Sequence, residues 1–304
     1  MENFNRLNDL FFKYLLGTEA RKDLTLAFLN AILADGEERF KDIIFINKDL
    51  EPAKFLGKLS KLDVKGVLDS GELIDIEVQV CPYDAMSERS LYYWARMYSE
   101  ELSESEQYEA LKPAIVLNIL NYNHIKDEEN WHNVYRLLNT NSHKMLTDHL
   151  EIHYVELPKL KLSDVRSMKS GEKWAAYLSG KCSKEEMYML AVTDPNIIKA
   201  LEAEKYFIGS NEYREYYEER EKAIRDYNSF LSSAKREGLR AGMTIGMERG
   251  MERGIEHGLK QGMERGRAEI IIKMLNRNKS VAEITDLTGA TVSEIKSIAE
   301  KHCK

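Results

Sequence analysis

The sequence predicts an α/β fold, a mixed sheet flanked by helices, followed by an α-helical C-terminal region. Three observations predict it. Residues 61–67 and 73–80 alternate apolar and polar side chains at the period of a pleated strand. Residues 114–120 form an apolar run, the pattern of a central strand covered on both faces. Beyond about residue 160 the chain turns helical and highly charged.

In chain order, residues 5–33 read as two helical stretches, with apolar spacing at Leu7, Leu10, Phe11, Tyr14 and Leu15, then Leu24, Ala27, Phe28 and Ala31. Residues 42–47 read as a short strand. A hairpin follows, turning at Asp69-Ser70-Gly71, where Gly supplies the positive φ that such turns need. Ser87 is the expected N-cap of a helix to about residue 102, burying Leu91, Tyr92, Ala95 and Tyr98. After the 114–120 strand, residues 151–156 form another, and the α/β core, residues 1–160, ends.

Residues 161–235 form a charged helical segment with tyrosines at 206, 213, 216, 217 and 227. They are read as a packing seam, with base stacking as the alternative. In residues 236–267, glycine recurs at every fourth position from Gly238 to Gly266, mostly followed by an apolar residue. Eight helical glycines cost about 1 kcal/mol each relative to Ala. A flexible linker is therefore one reading. The other is a glycine-faced helix that self-associates by close backbone approach, making a homo-oligomer through 238–266. Residues 268–304 carry capping boxes at Ser280/Glu283 and Thr291/Glu294. They make a small trihelical unit spaced like a helix-turn-helix, either a packing module or a reader of DNA.

The composition, 43% hydrophobic and 31% charged, is that of a soluble chain, with no run of membrane-spanning length and no signal-peptide pattern at the start. Cys81, Cys182 and Cys303 are too scattered for a disulfide framework or a zinc site, which fits a cytoplasmic location. The histidines show no metal-binding spacing. A net charge of −7 argues against coating nucleic acid by charge alone. DNA contact would need a local basic surface, for which Lys54, Lys58, Lys61 and Lys65 are candidates, or a metal that offsets acidic ligands.

The hairpin carries the chemistry. Asp63 and Lys65 share one face of its first strand, and Asp75, Glu77 and Gln79 share one face of its second. Antiparallel pairing would bring Asp63 near Glu77, and two carboxylates with an amide suit a hard divalent cation. Alternating charge is equally the mark of a sheet with one solvated face. The segment resembles the active-site hairpin of the PD-(D/E)XK nucleases, in the Rpn or "nuclease family transposase" branch, where the second motif reads Glu-x-Gln. Asn8-Asp9-Leu10-Phe11-Phe12-Lys13-Tyr14-Leu15-Leu16-Gly17, Leu26-Ala27-Phe28-Leu29-Asn30, Arg89-Ser90-Leu91-Tyr92-Tyr93-Trp94 and Leu111-Lys112-Pro113-Ala114 carry the resemblance in order.

The resemblance implies a restriction-endonuclease-like core and a Mg²⁺-dependent endodeoxyribonuclease, associated with recombination or mobile elements. Ca²⁺ or Mn²⁺ would substitute for Mg²⁺. Asp63 and Glu77 would hold the metal together with the backbone carbonyl of Val78. Gln79 would orient the attacking water or bond a phosphate oxygen. Gln in place of the usual Lys leaves positive charge short, and Lys65, on the face of Asp63, is the residue expected to supply it. Asp9 and Lys13 form either a plain i,i+4 pair or, through Asp9, the helix acid of the metal site. Arg89 and Tyr93, also one turn apart, either contact phosphate or brace the sheet. The competing function is a weak or inactive nuclease fold serving as a DNA-binding or assembly module. A strand-joining transposase on a ribonuclease-H-like fold fits poorly, because no clear third acid has the required layout.

Overall fold

A computed structural model describes residues 4–46, 64–102, 107–162 and 164–302. The chain divides into two units, Met1–Asn228 and Ser229–Lys304. The first is built on a six-stranded mixed sheet of order β1-β2-β3-β4-β6-β5. Its strands are β1 (Ile43–Phe45), β2 (Val64–Leu68), β3 (Leu73–Gln79), β4 (Ala114–Leu120), β5 (His132–Arg136) and β6 (Leu150–Glu156). β3, β4 and β6 run parallel, while β1–β2, β2–β3 and β5–β6 pair antiparallel.

The hairpin forms where its turn chemistry puts it. Gly71 has φ +85°, and its N–H donates to the Leu68 carbonyl at 2.8 Å. Gly66 in β2 lets β1 close in, since a Cβ there would lie 2.7 Å from the Ile43 side chain. All seven residues of β4 are buried, as a central parallel strand requires.

Helices cover both faces. On one side α1 (Asp9–Leu16), α2 (Lys22–Leu33), α4 (Ser170–Ser179), α5 (Lys184–Thr193) and α6 (Pro195–Gly209) share a core with Ile74, Ile76, Ile115 and Leu117. Phe28 meets Trp174 edge-on at 5.5 Å within it. This core continues past residue 160 without a break and includes Phe207 and Tyr217. Tyr213 stacks on Phe207 at 5.1 Å, so part of the tyrosine cluster is a packing seam, while Tyr206 and Tyr227 stay exposed.

On the opposite side α3 (Met86–Glu100) lies over Leu73, Val116, Leu120, Ile152 and Tyr154. Here the sequence reading needs correction. Ala85 occupies the N-cap position, and Ser87 lies inside the helix with its Oγ 2.9 Å from His124 Nε2. Met86, Ser90 and Met97 are buried, with Trp94 and the expected Tyr98 half-buried against the same core, whereas Leu91, Tyr92 and Ala95 are exposed. Two anchors set this rotation, burial of Met86 and the bond from Trp94 Nε1 to the Ala114 carbonyl at 2.9 Å. Strand β5 is half exposed and polar, which is why its pattern does not announce it.

The helix α7 (Asn211–Leu275) includes the whole glycine repeat and residues 268–275, so the first helix expected of the trihelical unit is the end of α7. In the second unit, α8 (Val281–Thr288) and α9 (Val292–His302) pack with the end of α7 around Ile271, Ile284, Ala290 and Ile295. Both expected capping boxes form, and Gly289 closes α8 with φ +65°.

Candidate active site

Residues at alternate positions of β3 share a face. Leu73 points into the core beneath α3, so Asp75, Glu77 and Gln79 point to the same side. Asp75 and Glu77 are buried there, at 0% and 1% exposure, which rules out a freely solvated strand face. Buried carboxylates require compensating charge or hydrogen bonds. Asp75 lies opposite Lys65 in the β2–β3 register, and Lys65 Nζ sits 3.1 Å from its carboxylate. Glu77 lies 3.5 Å from Arg89 Nε, which α3 presents from above.

Tyr93, one turn along α3, sits between the two cations. Its hydroxyl accepts from Arg89 Nη2 at 3.2 Å, and its ring centroid lies 4.9 Å from the guanidinium and 5.6 Å from Lys65 Nζ. Glu77 faces Asn118 across the parallel β3–β4 pair. Asn118 donates to the His153 carbonyl at 3.0 Å and accepts from Ser90 Oγ at 3.2 Å, so it ties α3, β4 and β6 together. The backbone carbonyl of Gln79 accepts from Asn121 N, while its side-chain Nε2 is buried with no hydrogen-bond partner among the described residues.

The structure therefore gathers Glu77, Gln79, Lys65, Arg89 and Tyr93 on the face beneath α3. Asp63, together with Lys54, Lys58 and Lys61, lies outside the described residues. Lys65 approaches Asp75, and Arg89 lies beside Glu77. On α1, the Asp9 carboxylate takes hydrogen bonds from Arg220 of α7, with Nε at 2.9 Å. Lys13 is buried on the same helix. Asp75, Asn118 and Ser90 have no role among the site residues expected from the sequence. Asp75 stands two residues before Glu77 in the alternation, and Asn118 is the one polar residue of the β4 run, so both signals were present.

Glu77 and Gln79 offer carboxylate and amide oxygens on one strand face, donors that suit a hard cation better than zinc. Among the described residues no group of three or more His, Cys, Asp or Glu is placed to hold a metal ion. Asp75 is the other described carboxylate on this face and lies against Lys65, and Asp63 lies outside the described residues.

A further hydrogen-bonded chain crosses β5 and β6, with Glu151 and His153 buried at its centre. His132 Nε2 lies 2.8 Å from His153 Nδ1, His153 Nε2 lies 2.6 Å from Glu151, and Arg136 donates to Glu151 at 3.1 Å. Burial, helped by His153, pushes His132 down to about 4. Burial raises Glu151, but the bond to His153 and the charges of His153 and Arg136 outweigh it and hold it at about 2.

No helix among the described residues is long and apolar enough to cross a membrane. Neither the curated proteins nor the solved structures yield a match. A family model described as PD-(D/E)XK nuclease family transposase matches residues 6–234, covering the whole sheet, α3 and most of the chain. The chain belongs to the PD-(D/E)XK nuclease family transposases.

Proposed function

We propose that the protein is a metal-dependent endodeoxyribonuclease, associated with recombination or mobile elements, that works as a homo-oligomer through 238–266. The observation that carries this reading is the buried Glu77 on β3, two residues before Gln79 and 3.5 Å from Arg89, in a chain of this family. Asp63, Glu77 and the Val78 carbonyl would hold Mg²⁺, with Ca²⁺ or Mn²⁺ as substitutes. When bound, the ion would polarise the phosphate and lower the pKa of water. Gln79 neither carries charge nor acts as a base; its amide would position water or a phosphate oxygen. Arg89, held by Tyr93, would supply the cation that Gln79 lacks, and Lys65 would neutralise Asp75 beside it. A cytoplasmic location is part of the same proposal.

A second reading, a weak or inactive nuclease fold acting as a DNA-binding or assembly module, draws on Gln79 and on the cations already lying beside both carboxylates. Nicking of supercoiled DNA with Mg²⁺, Mn²⁺ or Ca²⁺ separates the two. The nuclease reading expects cleavage that Asp63→Ala and Glu77→Ala each abolish. Cleavage that survives both substitutions, or no cleavage with any ion, overturns it.

A further inference from the structure

The carboxyl ends of the parallel strands β3 and β4 carry three buried donors without an acceptor. Gln79 Nε2, Arg89 Nε and the Tyr122 hydroxyl are each sealed from solvent and make no hydrogen bond among the described residues. Tyr122 as a whole is 9% exposed. Buried polar atoms left unpaired are costly and rare, so a group of them signals a missing partner. The carboxylates on this face already lie against cations, Asp75 against Lys65 and Glu77 against Arg89. What is lacking is an acceptor for the donors, and donors select an anion over a cation.

Register brings these donors to one end of the sheet. Gln79 pairs with Leu120, and the Asn121 N–H donates to the Gln79 carbonyl at 3.0 Å. Tyr122 follows, returning to the α3 side, where it packs in one cluster with Leu120, Met86 and Tyr154. Arg89 and Cys81 lie within electrostatic reach of its hydroxyl. The Tyr83 N–H approaches the same oxygen as a donor without completing a hydrogen bond, so the hydroxyl proton still has no acceptor. Burial pushes Tyr122 up to about 12, which keeps it a donor throughout the neutral range. The Arg89 guanidinium lies 4.9 Å from the Tyr93 ring centroid and 5.8 Å from that of Tyr83. Helix α3 starts at Met86, in the same cluster, with no side chain capping its first turn, so its leading N–H groups add to the donors at this end.

We propose that these groups form a phosphate pocket, in which Tyr122 donates its hydroxyl to an oxygen of a DNA phosphodiester alongside Gln79 and Arg89. The location is the one where parallel sheets hold their ligands, beyond the carboxyl ends of the strands. Tyr83, 49% exposed on the connection from β3 to α3, is the residue that shifts to admit the phosphate. The inference rests on the nuclease reading above and adds how the substrate is held, by a neutral hydroxyl and an amide beside one guanidinium. Tyr122 stands outside the expected site because nothing in the sequence marks a tyrosine two residues past an apolar strand as a ligand.

The test uses Tyr122→Phe, which removes the hydroxyl and keeps the ring, in the full chain without added metal. Inorganic phosphate is the probe, titrated against chloride at constant ionic strength, and its apparent Kd is read from the rise in the urea midpoint. Phosphate also stabilises proteins by exclusion from their surface, an effect common to parent and variant. Without phosphate the variant should be as stable as the parent or more so, since the hydroxyl has no partner to lose. Its phosphate Kd should be about tenfold weaker, the loss expected for a hydrogen bond to a charged acceptor. A variant less stable without phosphate places the hydroxyl in a structural bond and overturns the inference, as does equal stabilisation of both proteins by phosphate. Nicking of supercoiled DNA with Mg²⁺ separates this from the nuclease reading. Where the parent nicks, kcat/KM of the variant should fall about tenfold, and an unchanged value overturns the inference. A parent that never nicks while the phosphate difference stands removes the nuclease reading and leaves the phosphate pocket in place.

Discussion

Replacing Arg89 by Met removes a cation from beside the buried carboxylate of Glu77. At 3.5 Å the gross attraction is about 4–5 kcal/mol at an effective dielectric of about 20. Arg89 is one-fifth exposed, so part of that is already shared with solvent, whereas Glu77 at 1% has no such outlet. The expected net loss for Arg89→Met is about 2–3 kcal/mol. Glu77→Gln leaves the charge on the more exposed partner and costs about 1–2 kcal/mol. The double variant should fall well short of the sum, with a coupling of about 2 kcal/mol. Urea unfolding followed by tryptophan fluorescence reads this directly, because Trp94, Trp131 and Trp174 all lie in the first unit. If Glu77 is a metal ligand, Mg²⁺ must stabilise Arg89→Met more than it stabilises the parent, since the ion then replaces a missing charge. Additive single variants would sever the Glu77–Arg89 link. Equal Mg²⁺ stabilisation of parent and variant would remove Glu77 from the metal site.

Gly71→Ala should cost about 1 kcal/mol or more, because φ +85° is strained for any Cβ; an unchanged urea midpoint would contradict the turn geometry. His132, held at about 4 against an ordinary 6.5, is folded preferentially in its neutral form. Its contribution is therefore present above pH 6.5 and is lost as pH falls toward 4, by about 2 kcal/mol after discounting for partial exposure. His132→Gln should flatten the urea midpoint across that window. Glu151, held at about 2 against 4.5, contributes in the same sense at lower pH, above 4.5 and lost toward 2. Ser280→Ala removes one half of a formed capping box and should lower helix content in the second unit, costing about 1 kcal/mol. Circular dichroism of the full chain on heating checks it.

The hairpin, the central strand and both C-terminal caps were legible because each rests on local rules. A Gly at positive φ, a run of buried β-residues and a Ser-x-x-Glu box all act within a few positions. Spacing misplaces the face of α3 at Leu91, Tyr92 and Ala95, which form as good an apolar stripe with Tyr98 as Met86, Trp94 and Met97 do, and of the four only Tyr98 packs on the core. The choice between them is made by the Trp94 bond to β4 and by Met86 entering the core, contacts that no spacing encodes. The same rotation brings Arg89 and Tyr93 over Glu77, so the electrostatic partner of the motif could not be identified before α3 was placed. Strand β5 was missed for the opposite reason, since an edge strand with an exposed polar sequence leaves no period to detect.

The exchange of Lys for Gln at position 79 acquires a different meaning once α3 is in place. A lysine there would stand on the same strand face as Glu77, two residues away, and beneath a helix that already presents Arg89. Two cations against Glu77 in so buried a space would repel one another. With Gln79 the positive charge moves from the strand to the helix, where Tyr93 fixes the guanidinium plane and leaves it one-fifth open. On the proposed reading this has a cost for catalysis. Among the described residues, Lys65 at Asp75 and Arg89 at Glu77 offset the two buried carboxylates in formal charge. On that balance, neutralising an incoming phosphate falls chiefly to the bound metal. A catalytic rate that depends steeply on metal concentration and weakly on Lys65 is what such a site should show.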